Sequence, residues 1–350
     1  MQAVVLVGGE GTRLRPLTLD VPKPALTLVD RPFVRFVVDW LGGHGVDEVV
    51  MACGFKADDL RAALGDEVPG GPRIRYLEEP APLGTGGPLR LAADRGVLAD
   101  RFLALNGDVL ADLDLGALIE LHEARDAAAT LALYPVEDPS AYGLVRRAED
   151  GEVRGFLEKP DPGEIDTDEI NAGAYVLERS VIDLIPAGRA VSIEREVFPP
   201  MVGQGLYGRR LEGYWMDIGT PERYLRSSWD ILEGRVETAV EATGPGLLVA
   251  PEARVAEGAE IGPRAVVRGG CEIAEGARVA ESVVLDGCVV GERAVVEGAI
   301  LAEDVSVGED AEITKGAVIG AGASIGPGAA VAPGVRIQPG ESVEAEALAP

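Results

Sequence analysis

Three glycines, Gly8, Gly9 and Gly11, stand directly after an apolar run, followed by Thr12 and Arg13 and, further on, by Lys23 inside Pro22-Lys23-Pro24. Backbone N–H groups in such a turn can approach phosphate oxygens without hindrance from a Cβ, while Arg13 and Lys23 add cations at the far end of the loop. Two other phosphate loops fit badly: Leu14 occupies the place of the third glycine of the dinucleotide fingerprint, and no Gly-Lys-Ser/Thr is present. Asp108 closes the run Leu103-Ala104-Leu105-Asn106-Gly107, and Asp217 is a lone acid within Tyr214-Trp215-Met216-Asp217-Ile218-Gly219. One aspartate after a strand is as readily a turn former as a ligand. Two in apolar settings need partners, and a shared Mg2+, which binds through one or two carboxylates plus phosphate oxygens, would serve both. Glu158 can accept sugar hydroxyls, Lys159 can hold a phosphate, and Asn171 can donate and accept. A solvated Glu-Lys pair at a strand end is the plainer reading of 158–159. Against it stands scarcity: the chain has four lysines, Lys23, Lys56, Lys159 and Lys315, and two asparagines, Asn106 and Asn171. A residue kept against such a bias points to chemistry that arginine cannot replace. Leu83-Gly84-Thr85-Gly86-Gly87 is a second glycine-rich turn, suited to contact with a flat base.

The elements that must carry these residues have two textures. Up to about residue 232, short apolar runs alternate with amphipathic segments, which reads as α/β with a Rossmann-like, mostly parallel sheet. Expected strands are Ala3 to Val7, Glu48 to Cys53, Ile74 to Leu77, Phe102 to Leu105, Thr130 to Pro135, Val153 to Leu157 and Ala172 to Leu177. Expected helices begin at Pro32, ending at Gly42-Gly43, and cover Leu113 to Ala124. An open sheet of this kind binds ligands at the carboxyl ends of its strands, where Gly8 and Asp108 would both lie. From Leu248 on, aliphatics recur at intervals of six: Val249, Val255, Ile261, Val267, Ile273, Val279 and Leu285, then Val290 and Val296, then Val307 through Ile337. That period predicts a parallel β-helix, each turn taking three hexads. The expected domains are 1–232, a linker at 233–247, the β-helix at 248–340 and a tail at 341–350.

Composition narrows the function classes. In 350 residues, 32 Lys+Arg face 59 Asp+Glu for a net charge of −27, which disfavours nucleic-acid and anionic-membrane partners. An anionic substrate would need a local cationic pocket. No apolar run approaches the roughly 20 residues of a membrane-spanning helix. The start of the chain carries no basic export signal, and three cysteines fit a reducing compartment, so a cytoplasmic location is expected.

Taken in order, the glycine-Thr-Arg-Leu-x-Pro-Leu-Thr opening, Pro-Lys-Pro, Leu-Gly-Thr, Asn-Gly-Asp, Glu-Lys-Pro, Asn-Ala-Gly and Trp-Met-Asp-Ile-Gly resemble the sugar-1-phosphate nucleotidyltransferases. The hexad-repeat region, expected as a left-handed β-helix, belongs to the same picture, so the likeness spans nearly the whole chain. Ser192-Ile193-Glu194-Arg195-Glu196-Val197-Phe198-Pro199 and the segment around Asp217 look most like the mannose-1-phosphate guanylyltransferases. The resemblance implies a reaction of a nucleoside triphosphate with a hexose 1-phosphate, giving a nucleotide sugar and pyrophosphate. It implies nucleotide contacts from Leu6, Gly8, Gly9, Gly11, Thr12, Arg13, Leu83, Gly84, Thr85 and Gly107. Lys23 would sit at the α-phosphate and Lys159 on the attacking phosphate, with Gly143, Glu158 and Asn171 facing the sugar and Asp108 and Asp217 holding Mg2+. Pro82 replaces the Gln that reads the pyrimidine in uridylyl and thymidylyl relatives, which favours GTP, with Glu78 or Glu79 as the acceptor for guanine; Gly86 stands where guanylyl relatives carry Ala.

Other readings remain in view. Glucose 1-phosphate with a thymidylyl, uridylyl or adenylyl donor keeps the family and changes the specificity. A histidine-dependent acyltransferase on the β-helix fails, because His44 and His122 both lie in the first half. A non-catalytic subunit that binds nucleotide sugar is disfavoured by the intact Asp108, Asp217, Arg13 and Lys23. The flat faces of a β-helix suit assembly, so a homo-oligomer is expected.

Overall fold

The computed structural model describes residues 1–54 and 56–345. Packing groups them into two compact units: Met1–Gly9 with Val34–Trp215, and Glu10–Phe33 with Met216 onward.

The first unit is built on nine strands: β1 (Gln2–Leu6), β2 (Glu48–Cys53), β3 (Arg73–Glu78), β4 (Arg101–Asn106), β5 (Ala129–Pro135), β6 (Gly143–Arg147), β7 (Val153–Glu158), β8 (Glu169–Glu178) and β9 (Leu206–Arg210). β1 lies between β2 and β4, all parallel, with Val4 facing Val50 on one side and Ala104 on the other. All three residues are fully buried, which is why these strands read as unbroken apolar runs. β3 extends this parallel run beyond β2. On the other flank β8 pairs antiparallel with β4, β5 and β6, and β7 pairs antiparallel with β6. The sheet is therefore parallel at the glycine-turn side and mixed from β8 outward, where β9 pairs parallel with β5. Each expected strand is present within a residue or so at most ends, although β8 begins at Glu169, earlier than Ala172. The two strands that the pattern does not reveal, β6 (GLVRR) and β9 (LYGRR), are short and end in charged pairs, too little apolar sequence to stand out.

Helix Phe33–Gly43 begins just after Pro32, and helix Leu115–Ala124 is capped by Asp114, whose side chain accepts from the Ala117 N–H at 3.1 Å. His122 from that helix is fully buried, with Nδ1 2.9 Å from Thr130 Oγ1 and Nε2 3.1 Å from Glu178.

In the second unit, helix Pro221–Leu232 precedes three parallel ladders. One runs Leu247–Val249, Ala265–Val267, Val283–Val284, Ile300–Leu301, Val318–Ile319 and Arg336–Ile337; a second has six strands and the third five. This is the arrangement expected of a left-handed parallel β-helix. Its interior is the stack of hexad aliphatics, each worth roughly 1.5–3 kcal/mol on burial. The ladder sets the phase of the repeat: Val284, not Leu285, faces Val267 and Leu301, so the coils before and after Val284 are each one residue shorter than the regular ones. Leu285 is also buried, which hides the slip in the sequence. At the shortened corner the buried Ser282 Oγ donates to the Ala280 carbonyl at 2.6 Å and accepts from the Ala299 N–H at 3.1 Å. Cys271 and Cys288 are buried free thiols inside the β-helix, and Cys53 is a buried free thiol in the first unit. The last strand is Ser342–Val343; of the expected tail, residues 346–350 lie outside the described residues.

Burial lowers the pKa of His122 below its usual 6.5, only partly offset by the Glu178 hydrogen bond. The unfolded chain then takes up a proton at a pH where the folded one does not, so stability present above pH 6.5 is lost as pH falls below it. In thermal unfolding between pH 7.5 and 5.5, Tm should fall in the wild type, and His122→Gln should flatten that slope.

Candidate active site

At the carboxyl edge of the first unit's sheet, β1 and β4 deliver Leu6, Gly8 and Gly9 beside Asn106, Gly107 and Asp108. The Gly107 N–H donates to the Leu6 carbonyl at 2.9 Å, fixing the two strand ends together. The Glu79 carboxylate abuts Gly8, and its Oε2 accepts the Leu83 N–H at 3.0 Å. Burial raises the Glu79 pKa and the Leu83 N–H lowers it in part. Of the two expected acceptors for a base, Glu79 thus organises the loop itself, while Glu78 is exposed at the end of β3. The sequence context assigns Asn106 no role, yet its Oδ1 is buried and accepts no hydrogen bond among the described residues. An acceptor left open beside the glycine turn is what a ligand's hydroxyl or N–H would fill.

The loop Leu83-Gly84-Thr85 lies flat against Val191. Leu83 O accepts the Val191 N–H at 2.9 Å, and Val191 O accepts the Gly86 N–H at 2.8 Å. Gly84 has φ +73°, and a Cβ there would stand 2.5 Å from Val191 O, so no other residue fits without moving the loop. Thr85 Oγ1 accepts the Ile193 N–H at 2.9 Å and donates to Glu194 Oε2 at 2.6 Å; Ser192 Oγ donates to the same oxygen at 2.7 Å. Glu194 is buried, so these two hydroxyl donors supply partners that its carboxylate requires.

Glu194 also connects the loop to the other predicted residues. Gly143 and Glu158 face each other across β6 and β7, and Asn171 lies on β8, its Nδ2 donating to the Tyr175 hydroxyl at 2.8 Å. Burial and the neighbouring Glu194 raise the Glu158 pKa, with Arg195 and Lys159 opposing. Tyr175, wholly buried, is raised well above its usual value by burial and by Glu194, with Glu158 and Asp108 adding to the same field. The structure therefore gathers Asp108, Gly143, Glu158 and Asn171 around Tyr175, and adds Glu194. Lys159 is exposed at the end of β7, its N–H donating to the Tyr142 carbonyl at 3.0 Å. Glu194 was legible only as part of a motif, because nothing in its spacing marks it as buried.

The remaining predicted residues belong to the second unit. Thr12–Leu14 forms a short 3-10 turn after Gly11, and Thr18 Oγ1 donates to Gly11 O at 2.9 Å. Lys23 is only 7% exposed, with Nζ 3.8 Å from Asp217 Oδ1. Arg223 Nη1, from helix Pro221–Leu232, is 2.9 Å from Asp217 Oδ2. The Arg13 guanidinium lies over Gly219, where a Cβ would come within 2.7 Å of its Nη2 and 3.0 Å of Asp217 Oδ1. Arg13, Lys23 and Arg223 thus form a cationic cluster about one carboxylate. Arg223 went unread in the sequence, since arginines are common throughout and helix phase alone does not aim this one at Asp217. Among the described residues, no three His, Cys, Asp or Glu side chains are grouped to cage a metal. Asp108 in the first unit and Asp217 in the second are each hard oxygen donors, of the type that Mg2+ takes together with phosphate oxygens.

The family model described as Nucleotidyl transferase matches residues 2–234. The chain belongs to that family. A second model, the GMPPB C-terminal domain, matches residues 243–346. This nucleotidyltransferase is 41% identical over 279 residues to the mannose-1-phosphate guanylyltransferase of Mycobacterium tuberculosis, covering 75% of this chain and 77% of the relative. It is 37% identical over 292 residues to a probable mannose-1-phosphate guanylyltransferase 2 of Arabidopsis thaliana, covering 79% of each. Among solved structures it resembles HddC from Yersinia pseudotuberculosis complexed with GMP-PN, with a TM-score of 0.54 and 27% identity, over 66% of this chain and 99% of that one. No helix among the described residues is long and apolar enough to cross a membrane.

Gly84→Ala tests the loop geometry directly. The forced contact with Val191 and the positive φ should cost about 1–3 kcal/mol, read as a lower Tm and a lower urea midpoint with unchanged m.

Proposed function

We propose that this nucleotidyltransferase transfers a guanylyl group from GTP to mannose 1-phosphate, yielding GDP-mannose and pyrophosphate. The observation that carries the reading is the 41% identity to a mannose-1-phosphate guanylyltransferase over three quarters of the chain. Pro82, in the place of a pyrimidine-reading Gln, supports a purine.

The chemistry needs no protein nucleophile. An oxygen of the sugar phosphate forms a bond to the α-phosphorus while the bond from that phosphorus to the bridging oxygen of pyrophosphate breaks, so the protein's task is to align two polyanions and offset their repulsion. Arg13, with the N–H groups of Gly9 and Gly11, holds the β- and γ-phosphates that leave together. Lys23 meets the α-phosphate and Lys159 the attacking one. Glu158 and Asn171 accept and donate at the sugar hydroxyls beside Gly143, where a side chain would crowd the ring. Leu83 to Thr85 lie against the base, and Leu6 and Gly107 at the strand ends frame the nucleotide together with Gly8 and Thr12 from the turns. Asp108 and Asp217 hold Mg2+, which when bound withdraws charge from the α-phosphate. In this reading residues 1–232 are the catalytic domain, 233–247 the linker and 248–340 the β-helix that assembles a cytoplasmic homo-oligomer.

The decisive measurement is pyrophosphate release with Mg2+ over a matrix of four triphosphates against mannose and glucose 1-phosphates. GTP with mannose 1-phosphate should give the highest kcat/KM; a preference for dTTP or UTP with glucose 1-phosphate would overturn the assignment. Asp108→Asn and Asp217→Asn should each lower kcat by about 10²- to 10³-fold.

A second prediction concerns acid. Because the Glu158 pKa is raised, its ionised, hydroxyl-accepting form is lost at a pH above the ordinary 4.5 as acid is added. The KM for the sugar phosphate should rise on that limb while the KM for GTP stays level, and Glu158→Gln should show a high sugar-phosphate KM without the added pH dependence.

A further inference from the structure

We infer that Arg336, on a late coil of the β-helix, is a positioning residue for the phosphate-binding turn, an inference that rests on the proposed role of Arg13 at the departing phosphates. The argument begins with a missing donor. In the turn Thr12–Leu14, the N–H groups of Leu14 and Arg15 reach back to Gly11 O at 2.9 Å and Thr12 O at 3.2 Å, and Leu17 N–H reaches Leu14 O at 3.1 Å. The Arg13 carbonyl is the gap in that series. Its donor would be three residues on, at Pro16, which has no N–H. Arg336 Nη1 fills the gap, donating to Arg13 O at 2.9 Å and to Arg15 O at 2.6 Å.

Such charge-assisted bonds are stronger than amide–amide ones, and a planar guanidinium fixes direction as well as distance. Among the described residues Arg336 has no carboxylate partner, so its hydrogen bonds are spent on these two carbonyls. The far end of the same segment is held in the same manner: Arg268 Nη1 donates to the Asp30 carbonyl at 3.1 Å, and the Tyr224 hydroxyl donates to the Thr27 carbonyl. Side chains from the β-helix and the helix before it thus supply donors along the backbone of residues 13–30. The Arg13 side chain leaves the turn that Arg336 grips and reaches Gly219 beside Asp217. A tilt of the turn swings that guanidinium, and misplacement by about 1 Å at such a site can cost on the order of 10²-fold in rate.

Arg336→Ala, Arg336→Lys and a control, Arg254→Ala, in which an exposed arginine loses its pairing with Glu272, test this in the full chain. Hydrogen exchange without substrate should show Leu14, Arg15 and Leu17 amides exchanging faster in Arg336→Ala, with β-helix amides and Tm unchanged. In the pyrophosphate-release assay, Arg336→Ala should lose about tenfold or more in kcat/KM for the triphosphate while the sugar-phosphate KM stays within about twofold, Arg336→Lys should recover part of the loss, and the control should match wild type. Unchanged exchange, or an equal loss toward both substrates together with a lower Tm, would overturn the inference. If the wild type releases no pyrophosphate with any substrate pair, the proposed activity fails, and the exchange experiment alone then decides for Arg336: faster exchange supports it and unchanged exchange ends it.

Discussion

A carboxylate with only 16% of its side chain exposed must be compensated, and Asp217 is met by Lys23 at 3.8 Å and Arg223 at 2.9 Å. That constraint organises the second unit. It draws the Pro22-Lys23-Pro24 turn and the start of helix Pro221–Leu232 to one point, and it sets the carboxylate beside Gly219, over which Arg13 lies. Removing one cation would leave a poorly solvated charge short of compensation, which costs more than the pair contributes when complete. The cluster is also the local reversal that a chain of net charge −27 requires before it can welcome a polyanion.

In the first unit the equivalent constraint is Glu194. Three hydrogen bonds converge on its neighbourhood, two of them to one oxygen, and they fasten the Leu83-Gly84-Thr85 loop to the segment that follows Val191. Its field also reaches Glu158 and Tyr175, so the loop that would meet a base and the pocket that would meet a sugar share one acid.

How much of this was legible in the sequence follows from what kind of signal each feature leaves. The buried strands β1, β2 and β4 announce themselves because both faces are covered, and the β-helix does so because one aliphatic per hexad is a period no other fold shares. Strands β6 and β9 do not, since a short strand ending in two arginines carries no distinctive pattern. The glycine turn, Asp108 and Asp217 stand out by residue type at the end of an apolar run. Glu194, Arg223 and Asn106 matter because of what surrounds them in space, and composition says nothing of that: one glutamate among many acids, or one arginine among many, is indistinguishable until its neighbours are known. The phase slip at Val284 was masked for the same reason, because Leu285 is equally apolar and equally buried.

The grouping of Glu10–Phe33 with the far end of the chain bears on the order in which the protein can mature during synthesis. β1 and this segment leave the ribosome well before the partners of the segment's carbonyls at positions 13, 15 and 30, because Arg336 and Arg268 lie between 238 and 323 residues further along the chain. Domains tend to fold as they leave the ribosome, beginning from the amino terminus. Here a nascent chain can assemble the sheet early, but the strap of residues 13–30 stays short of these donors until Arg268 and Arg336 have emerged. A chain that stops short of Arg336 would therefore leave the turn after Gly11 without the donor that its Arg13 carbonyl lacks.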